Sequence, residues 1–215
     1  MYTRDESAYG RPRERRIPGC IHALIWMVVL SVAAGIHPAF SYDQAEARPV
    51  TEVAGVAFDT TLLLNGTRLD LTGAGLLRYR IVFKGYVAAL YLESGMGKSH
   101  VFFDIPKRLE IEYFHSIAAH GFITATQKGL EANLSPRDLG MLSDRITRLY
   151  ETYRDVKPGD RYAFTYYPGH GSDLTLNGEV IGNFSGLDFA NAILSIWIGE
   201  NPLDESLKAS LLGNE

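Results

Sequence analysis

The sequence predicts an α+β fold built on an antiparallel sheet, and three observations carry that prediction. Short apolar runs flank an Asn-Gly pair twice, at Asn65-Gly66 and at Asn177-Gly178, which is the strongest local signal of a β-hairpin. Two stretches of helical periodicity follow one another between residues 117 and 153, and two more close the chain. Strands, two helices, strands and two helices, in that order, suit an antiparallel sheet with helices packed on it rather than a doubly wound parallel sheet.

The 215 residues are 46% hydrophobic and 21% charged, enough apolar side chains for one globular core without covalent staples. That composition excludes a disordered chain, a collagen-like repeat and a disulfide scaffold. A net charge of −4 gives the whole chain no basic footprint for nucleic acid. The single cysteine, Cys20, allows neither an internal disulfide nor a cysteine-built metal site.

Residues 1–41 read as a signal peptide. Arg4, Arg11, Arg13, Arg15 and Arg16 form a basic head, and an apolar run follows from Ile21 to Ile36, interrupted by His22 and Ser31. Ala39-Phe40-Ser41 then places small residues at the −3 and −1 positions before Tyr42, the three-part pattern of secretion. The apolar run is short for about 30 Å of hydrocarbon, which favours export to the periplasm with cleavage. The alternative is an uncleaved inner-membrane anchor over residues 21–36, the one membrane contact expected of this chain. Cys20 precedes the apolar run, so it does not form a lipoprotein box, and the residues after Arg15-Arg16 fit a twin-arginine signal poorly. The exported chain has 16 basic and 22 acidic side chains and no cysteine, so it rests on its core alone. Residues 42–52 read as a flexible polar lead-in, and residues 53–213 as the folded domain.

Within that domain Leu62-Leu63-Leu64, Asn65-Gly66 and Leu69-Asp70-Leu71 give a first hairpin, and Gly73-Ala74-Gly75 reads as a break. Arg78 to Leu92 is a long aromatic and β-branched stretch with a kink expected at Gly85. From Arg108 to Phe114, Leu109, Ile111 and Tyr113 alternate with Arg108, Glu110 and Glu112, the pattern of a strand with one buried and one wet face. The next segment, Ile117 to Leu134, has helical spacing through Ile123, Gln127, Leu130 and Leu134. Ser135 suits an N-cap, Pro136 the first helical position and Asp138 a helix N-terminus. Leu139, Leu142, Ile146, Leu149 and Tyr153 form a buried stripe, with Asp144, Arg145, Arg148 and Glu151 on the face read as solvent. Strands return over residues 161–167, 173–176 and 180–182; helices are expected over about 186–198 and 204–212, the last stopped by Gly213.

Several motifs fail on inspection. Gly95-Met96-Gly97-Lys98-Ser99 ends like a phosphate-binding loop, but Leu92 stands where its first glycine belongs. His115, His120 and His170 have no metal-ligand spacing and read as ordinary polar histidines. There is no Gly-x-Ser-x-Gly elbow, and Gly169-His170-Gly171 is a hairpin bend. No metal and no cofactor is implied. Strand alternation puts Arg78, Arg80, Val82, Lys84 and Tyr86 on one side if no bulge intervenes. Such cations are either solvated or the anchor of an apolar cavity that holds a carboxylate or an enolate.

The run from Thr72 to Arg80, followed by Phe83-Lys84-Gly85-Tyr86-Val87-Ala88-Ala89-Leu90-Tyr91-Leu92-Glu93, resembles the central strands of the chalcone isomerase-like family. Glu131 to Pro136, Val156 to Asp160, Leu176 to Gly182 and Asp188 to Leu203 support the resemblance, which spans about Val53 to Gly213 and is greatest to the exported bacterial branch. It implies an open-faced β-sandwich, a large antiparallel sheet covered by helices, with a ligand cleft between the two layers. Plant members of that family close a flavanone ring by stabilising a phenolate or enolate; other members bind fatty acids through an arginine and a tyrosine. The resemblance maps the arginine to Arg78, with Arg80 beside it, and puts Tyr86 where the plant enzymes have a threonine. Ile196-Trp197 stand where those enzymes have a Thr-Met pair, and no lysine or asparagine on residues 117–134 matches theirs. Flavonoid cyclisation is therefore not expected. The expected function is binding of a small apolar, fatty-acid-like acid by Arg78, Arg80, Tyr86, Tyr91 and Trp197. The alternatives are an intramolecular lyase or isomerase on an enolisable or enone substrate, with Arg78 and Tyr86 as catalytic candidates, and a non-catalytic partner-binding envelope protein.

Overall fold

The computed structural model describes residues 49–79 and 83–214. The segment read as signal peptide, most of the lead-in and the candidate Arg80 lie outside the described residues. Strands β1 (Val50–Val53) and β2 (Val56–Asp59) form a hairpin of their own, so pairing begins inside the stretch read as lead-in. The remaining strands build one seven-stranded antiparallel meander: β3 (Thr61–Leu64), β4 (Thr67–Tyr79), β5 (Phe83–Glu93), β6 (Lys107–Tyr113), β7 (Arg161–Tyr167), β8 (Gly171–Leu176) and β9 (Glu179–Phe184). Four helices accompany it: α1 (Ala119–Asn133), α2 (Pro136–Thr152), α3 (Leu187–Ile198) and α4 (Glu205–Leu211).

Both Asn-Gly pairs turn the chain as their chemistry requires. Asn65 and Gly66 have φ of 50° and 78°, and Asn177 and Gly178 have 51° and 86°, the paired positive angles that match the twist of a two-residue hairpin. The junction between α1 and α2 follows the sequence as well. Ser135 accepts a hydrogen bond from the Asp138 backbone N–H at 3.2 Å and donates to the Asp138 carboxylate at 2.6 Å, with Pro136 opening α2. Ser135→Ala is expected to cost about 1 kcal/mol of stability, read from urea unfolding.

The sheet has two covered faces. On one, Tyr86, Ala88, Leu90 and Leu92 of β5 and Leu109, Ile111 and Tyr113 of β6 pack against the apolar stripes of the helices. On the other, Val87, Ala89 and Tyr91 of β5 pack with Leu69 against Val56 and Phe58 of β2. The face of β6 read as wet is therefore partly enclosed. Glu110 is 5% exposed and accepts from Arg108 at 2.7 Å and from Arg161 at 3.1 Å. Arg161 also pairs with Glu112 at 2.7 Å and lies over the Phe58 ring at 4.9 Å. Charge alternation along β6 thus records an ion-pair network under the hairpin rather than solvent.

Two further readings change. Gly73 and Gly75 do not break the chain; β4 runs through them, and their missing side chains let α4 lie directly on the strand. A Cβ on Gly75 would stand 2.6 Å from the Ser210 Cβ. Arg145 is not simply solvated: its two terminal nitrogens donate to both Asp188 carboxylate oxygens at 2.7 and 2.6 Å, tying α2 to α3. Arg148 lies over the Phe184 ring at 5.9 Å.

Candidate functional site

Between the sheet and the helices lies a cavity of about 150 Å³. Its floor is the helix-facing side of the sheet, with Tyr86 from β5, Tyr113 from β6 and Tyr162 from β7. Its roof is Phe122 and Thr126 from α1, Tyr153 after α2, and Ile196 and Trp197 from α3. Leu203, 46% exposed, and the exposed Ala125 also line it and mark its mouth. These positions follow from periodicity: Tyr113 ends the apolar alternation of β6, and Tyr153 ends the stripe of α2.

The lining is apolar with phenolic tips. The Tyr113 ring meets Tyr86 edge-on at 5.7 Å, Phe122 at 5.4 Å and Tyr162 at 6.1 Å. Trp197 Nε1–H donates to the Tyr86 hydroxyl oxygen at 2.8 Å. Tyr153 shares a 2.7 Å hydrogen bond with Thr126. Tyr162 donates to the Arg154 carbonyl at 3.0 Å and accepts from the Arg154 N–H at 2.8 Å. The Tyr113 hydroxyl makes no hydrogen bond to a described residue, although the side chain is 5% exposed. Burial pushes the Tyr86, Tyr113 and Tyr153 phenols above their ordinary range, so each is protonated at neutral pH. Among the described lining residues there is no lysine, arginine, histidine or carboxylate.

The structure brings together two of the five expected ligand contacts, Tyr86 and Trp197, which hydrogen-bond to each other in the cavity. Tyr91 stands on the opposite face of the sheet, fully buried with Phe58, its hydroxyl unpartnered beside Glu110 and Arg161. Arg78 is on β4 and Tyr86 on β5, so the stretch read as continuous from Arg78 to Leu92 is split, and Arg78 follows Leu77, the partner of Tyr86, which puts it on the opposite face. Leu77 pairs with Tyr86, but Arg78 pairs with Lys84, so Gly85 is the extra residue and the alternation flips there. Lys84 accordingly reaches the Phe114 ring at 5.8 Å, on the far face, and Arg78 is exposed and outside the cavity lining. Sequence reasoning had the kink at Gly85 but not its consequence. It had Tyr113 and Tyr153 as core positions; the recurrence of tyrosine at the ends of buried stripes was the available signal that they are more.

An antiparallel sheet, a helical layer on one face and an apolar, phenol-tipped cavity between them define the architecture. Residues 50–213 match the family model described as chalcone isomerase-like, and the chain belongs to that family. Among solved structures it is similar to a fatty-acid binding protein of Arabidopsis thaliana, with 16% identity and a TM-score of 0.60 over 77% of this chain and 97% of that one. No curated protein matches the sequence.

Proposed function

We propose that this chain binds a small, apolar, fatty-acid-like molecule in the cavity between sheet and helices. The carrying observation is the cavity itself: an enclosed space under a mouth at Leu203 and Ala125, lined by side chains that would otherwise close on one another. The fold shared with a fatty-acid binding protein supports the reading. A space of about 150 Å³ is the size of an engineered apolar cavity that stays dry and admits benzene. A longer tail therefore fills it and runs out past Leu203. Each buried CH₂ contributes about 0.8 kcal/mol, so the tail dominates affinity. Arg78, next in the strand to the Leu77 that pairs with Tyr86 and so on the other face, is not the anchor of this site. Export through residues 1–41 belongs to the same proposal; a purified chain that begins at Tyr42 supports it, and one that begins at Met1 favours the anchor.

The test is mass spectrometry of small molecules released by denaturing the natively purified protein. An apolar ligand in near-equal amount is expected, and Ala125→Trp, which plugs the mouth, should lose it. Arg78→Ala should hold ligand with affinity within about twofold, because an exposed cation contributes little. The reading fails if the protein is empty and no apolar acid, alcohol or ketone shifts its Tm. That result would favour a partner-binding protein whose cleft its own side chains fill, a second reading that the bond between Trp197 and Tyr86 supports.

A further inference from the structure

The polar groups at the cavity are not equivalent, and their hydrogen-bond inventory says what they can still do. A phenol can donate once and accept. Tyr153 is occupied by Thr126 and Tyr162 by the Arg154 backbone. Tyr86 spends acceptor capacity on Trp197. Tyr113 spends nothing: it is buried on four sides, by Tyr86 from β5, Phe122 from α1, Tyr162 from β7 and its own strand, yet its hydroxyl has no partner among the described residues. The Tyr113 ring lines the cavity, and its oxygen is not sealed in the packing as the Tyr91 hydroxyl is, so a molecule that enters can take up the bond left unmade.

We propose that the Tyr113 hydroxyl is the head-group anchor of the cavity and donates its hydrogen bond to an un-ionised acceptor, the carbonyl of a ketone, an ester or a protonated carboxylic acid. This rests on the reading of the cavity as an apolar ligand site and specifies the chemical state of the ligand's head. Among the described residues, the titratable groups that face Tyr113 are Tyr86 from the sheet, Tyr153 after α2 and Tyr162 from β7, all phenols. None brings a positive charge, and burial holds the Tyr113 proton in place so that it acts as a donor. A carboxylate buried here would have lost its water without gaining a cation from any described lining residue, which costs several kcal/mol. A neutral carbonyl loses far less and gains the hydrogen bond that Tyr113 has left wholly open.

The probes are octanoic acid and 2-nonanone, matched in length and differing in whether the head can ionise. Binding to the full chain with Trp26 replaced by Phe, so that Trp197 is its single indole, is followed by calorimetry and by fluorescence, from pH 5 to pH 8. The ketone should bind with the same affinity throughout. The acid should weaken about tenfold for each pH unit above its own pKa, because only the protonated form enters. Tyr113→Phe keeps the ring and removes the hydroxyl, so it should weaken the ketone about five- to tenfold while the variant's Tm stays at or above the parent's. Octanoic acid that binds equally at pH 5 and pH 8 would overturn the un-ionised head and leave the apolar-ligand reading standing. Ketone affinity unchanged in Tyr113→Phe would remove Tyr113 as the anchor. Failure of both probes to bind, at every pH, would sink the ligand reading and this inference with it.

Discussion

Lys107→Met is expected to lower stability by about 1 kcal/mol at pH 7, because the lost hydrogen bonds outweigh the relief of a buried charge. Lys107 is 1% exposed, at the start of β6. Its ammonium donates to the Val101 carbonyl at 2.8 Å, the Phe103 carbonyl at 2.6 Å and Asn191 Oδ1 at 3.2 Å, and lies 5.3 Å from the centre of the Tyr166 ring. Asn191 in turn donates to the Phe102 carbonyl at 2.8 Å, so one buried cation and one amide hold the loop between β5 and β6 onto α3. Methionine fills similar volume but supplies no donor, which strands the Val101 carbonyl, while the Phe103 carbonyl keeps the Ile105 N–H at 2.9 Å. A loss below about 0.5 kcal/mol in urea unfolding would show that the loop is held by packing alone.

The same lysine makes stability depend on pH in a direction that can be fixed in advance. Burial, opposed by the nearby Asp104, pulls the Lys107 pKa down from an ordinary 10.5 to about 8. Below pH 8 both folded and unfolded chains carry the proton, and no slope arises. Between about 8 and 10.5 the unfolded chain keeps a proton that the folded chain has released, so stability rises with pH, by up to about 3 kcal/mol. Above pH 10 the buried phenols act oppositely. Tyr86, Tyr113 and Tyr153 resist ionisation in the fold, while their unfolded counterparts ionise, and stability falls. A maximum near pH 10 is expected in the parent, and the rise should vanish in Lys107→Met. A parent curve flat between pH 8 and 10 would contradict the depressed pKa.

How far the sequence reaches depends on whether a signal is local. The hairpins, the N-cap at Ser135 and the stripe of α2 are written in residues a few positions apart, and each is where its local chemistry puts it. Lys107, by contrast, stands just before the alternation of β6 and carries no local signal, because the oxygens that hold it come from a loop and from a helix residue 84 positions away. The site fares in the same way. Tyr86 and Trp197 line the cavity at positions the family resemblance marks, while Arg78 lies outside it because the chain reverses between β4 and β5 and Leu77 pairs with Tyr86, and Tyr91 lies on the other covered face of β5. Alternation tells which residues share a face only until a bulge intervenes, and a continuous apolar strand such as β5 does not say which face is the ligand's.

Gly73→Ala should be a severe change, costing about 3 kcal/mol although it adds one methyl group. The sequence reads Gly73 as punctuation; the structure makes it a seat. A Cβ there would collide with the Ser210 carbonyl oxygen and stand 2.8 Å from the Leu211 carbonyl oxygen and 2.9 Å from the Gly213 nitrogen. All three are backbone atoms at the end of α4, so no rotamer change relieves them; the helix must unwind or lift. Lifting α4 withdraws Leu207 and Leu211 from the core and frees the segment at Asp204, whose carboxylate caps the helix through the Leu207 N–H at 2.8 Å. Leu203, at the cavity mouth, immediately precedes that cap, so Gly73→Ala should also speed ligand exchange. Gly129→Ala provides the contrast. Its Cβ would meet the Cβ and both γ carbons of Ile196 at 2.8 to 3.2 Å; no χ1 change of this branched residue clears all three, so α1 and α3 must part by a few tenths of an ångström at the cavity. Gly129→Ala should cost about 1–2 kcal/mol, offset in part by alanine's helix propensity, and should weaken ligand as well. Equal stability losses in the two variants would mean that α4 yields as readily as α1 and α3 part, and the mouth would then not depend on how α4 is seated.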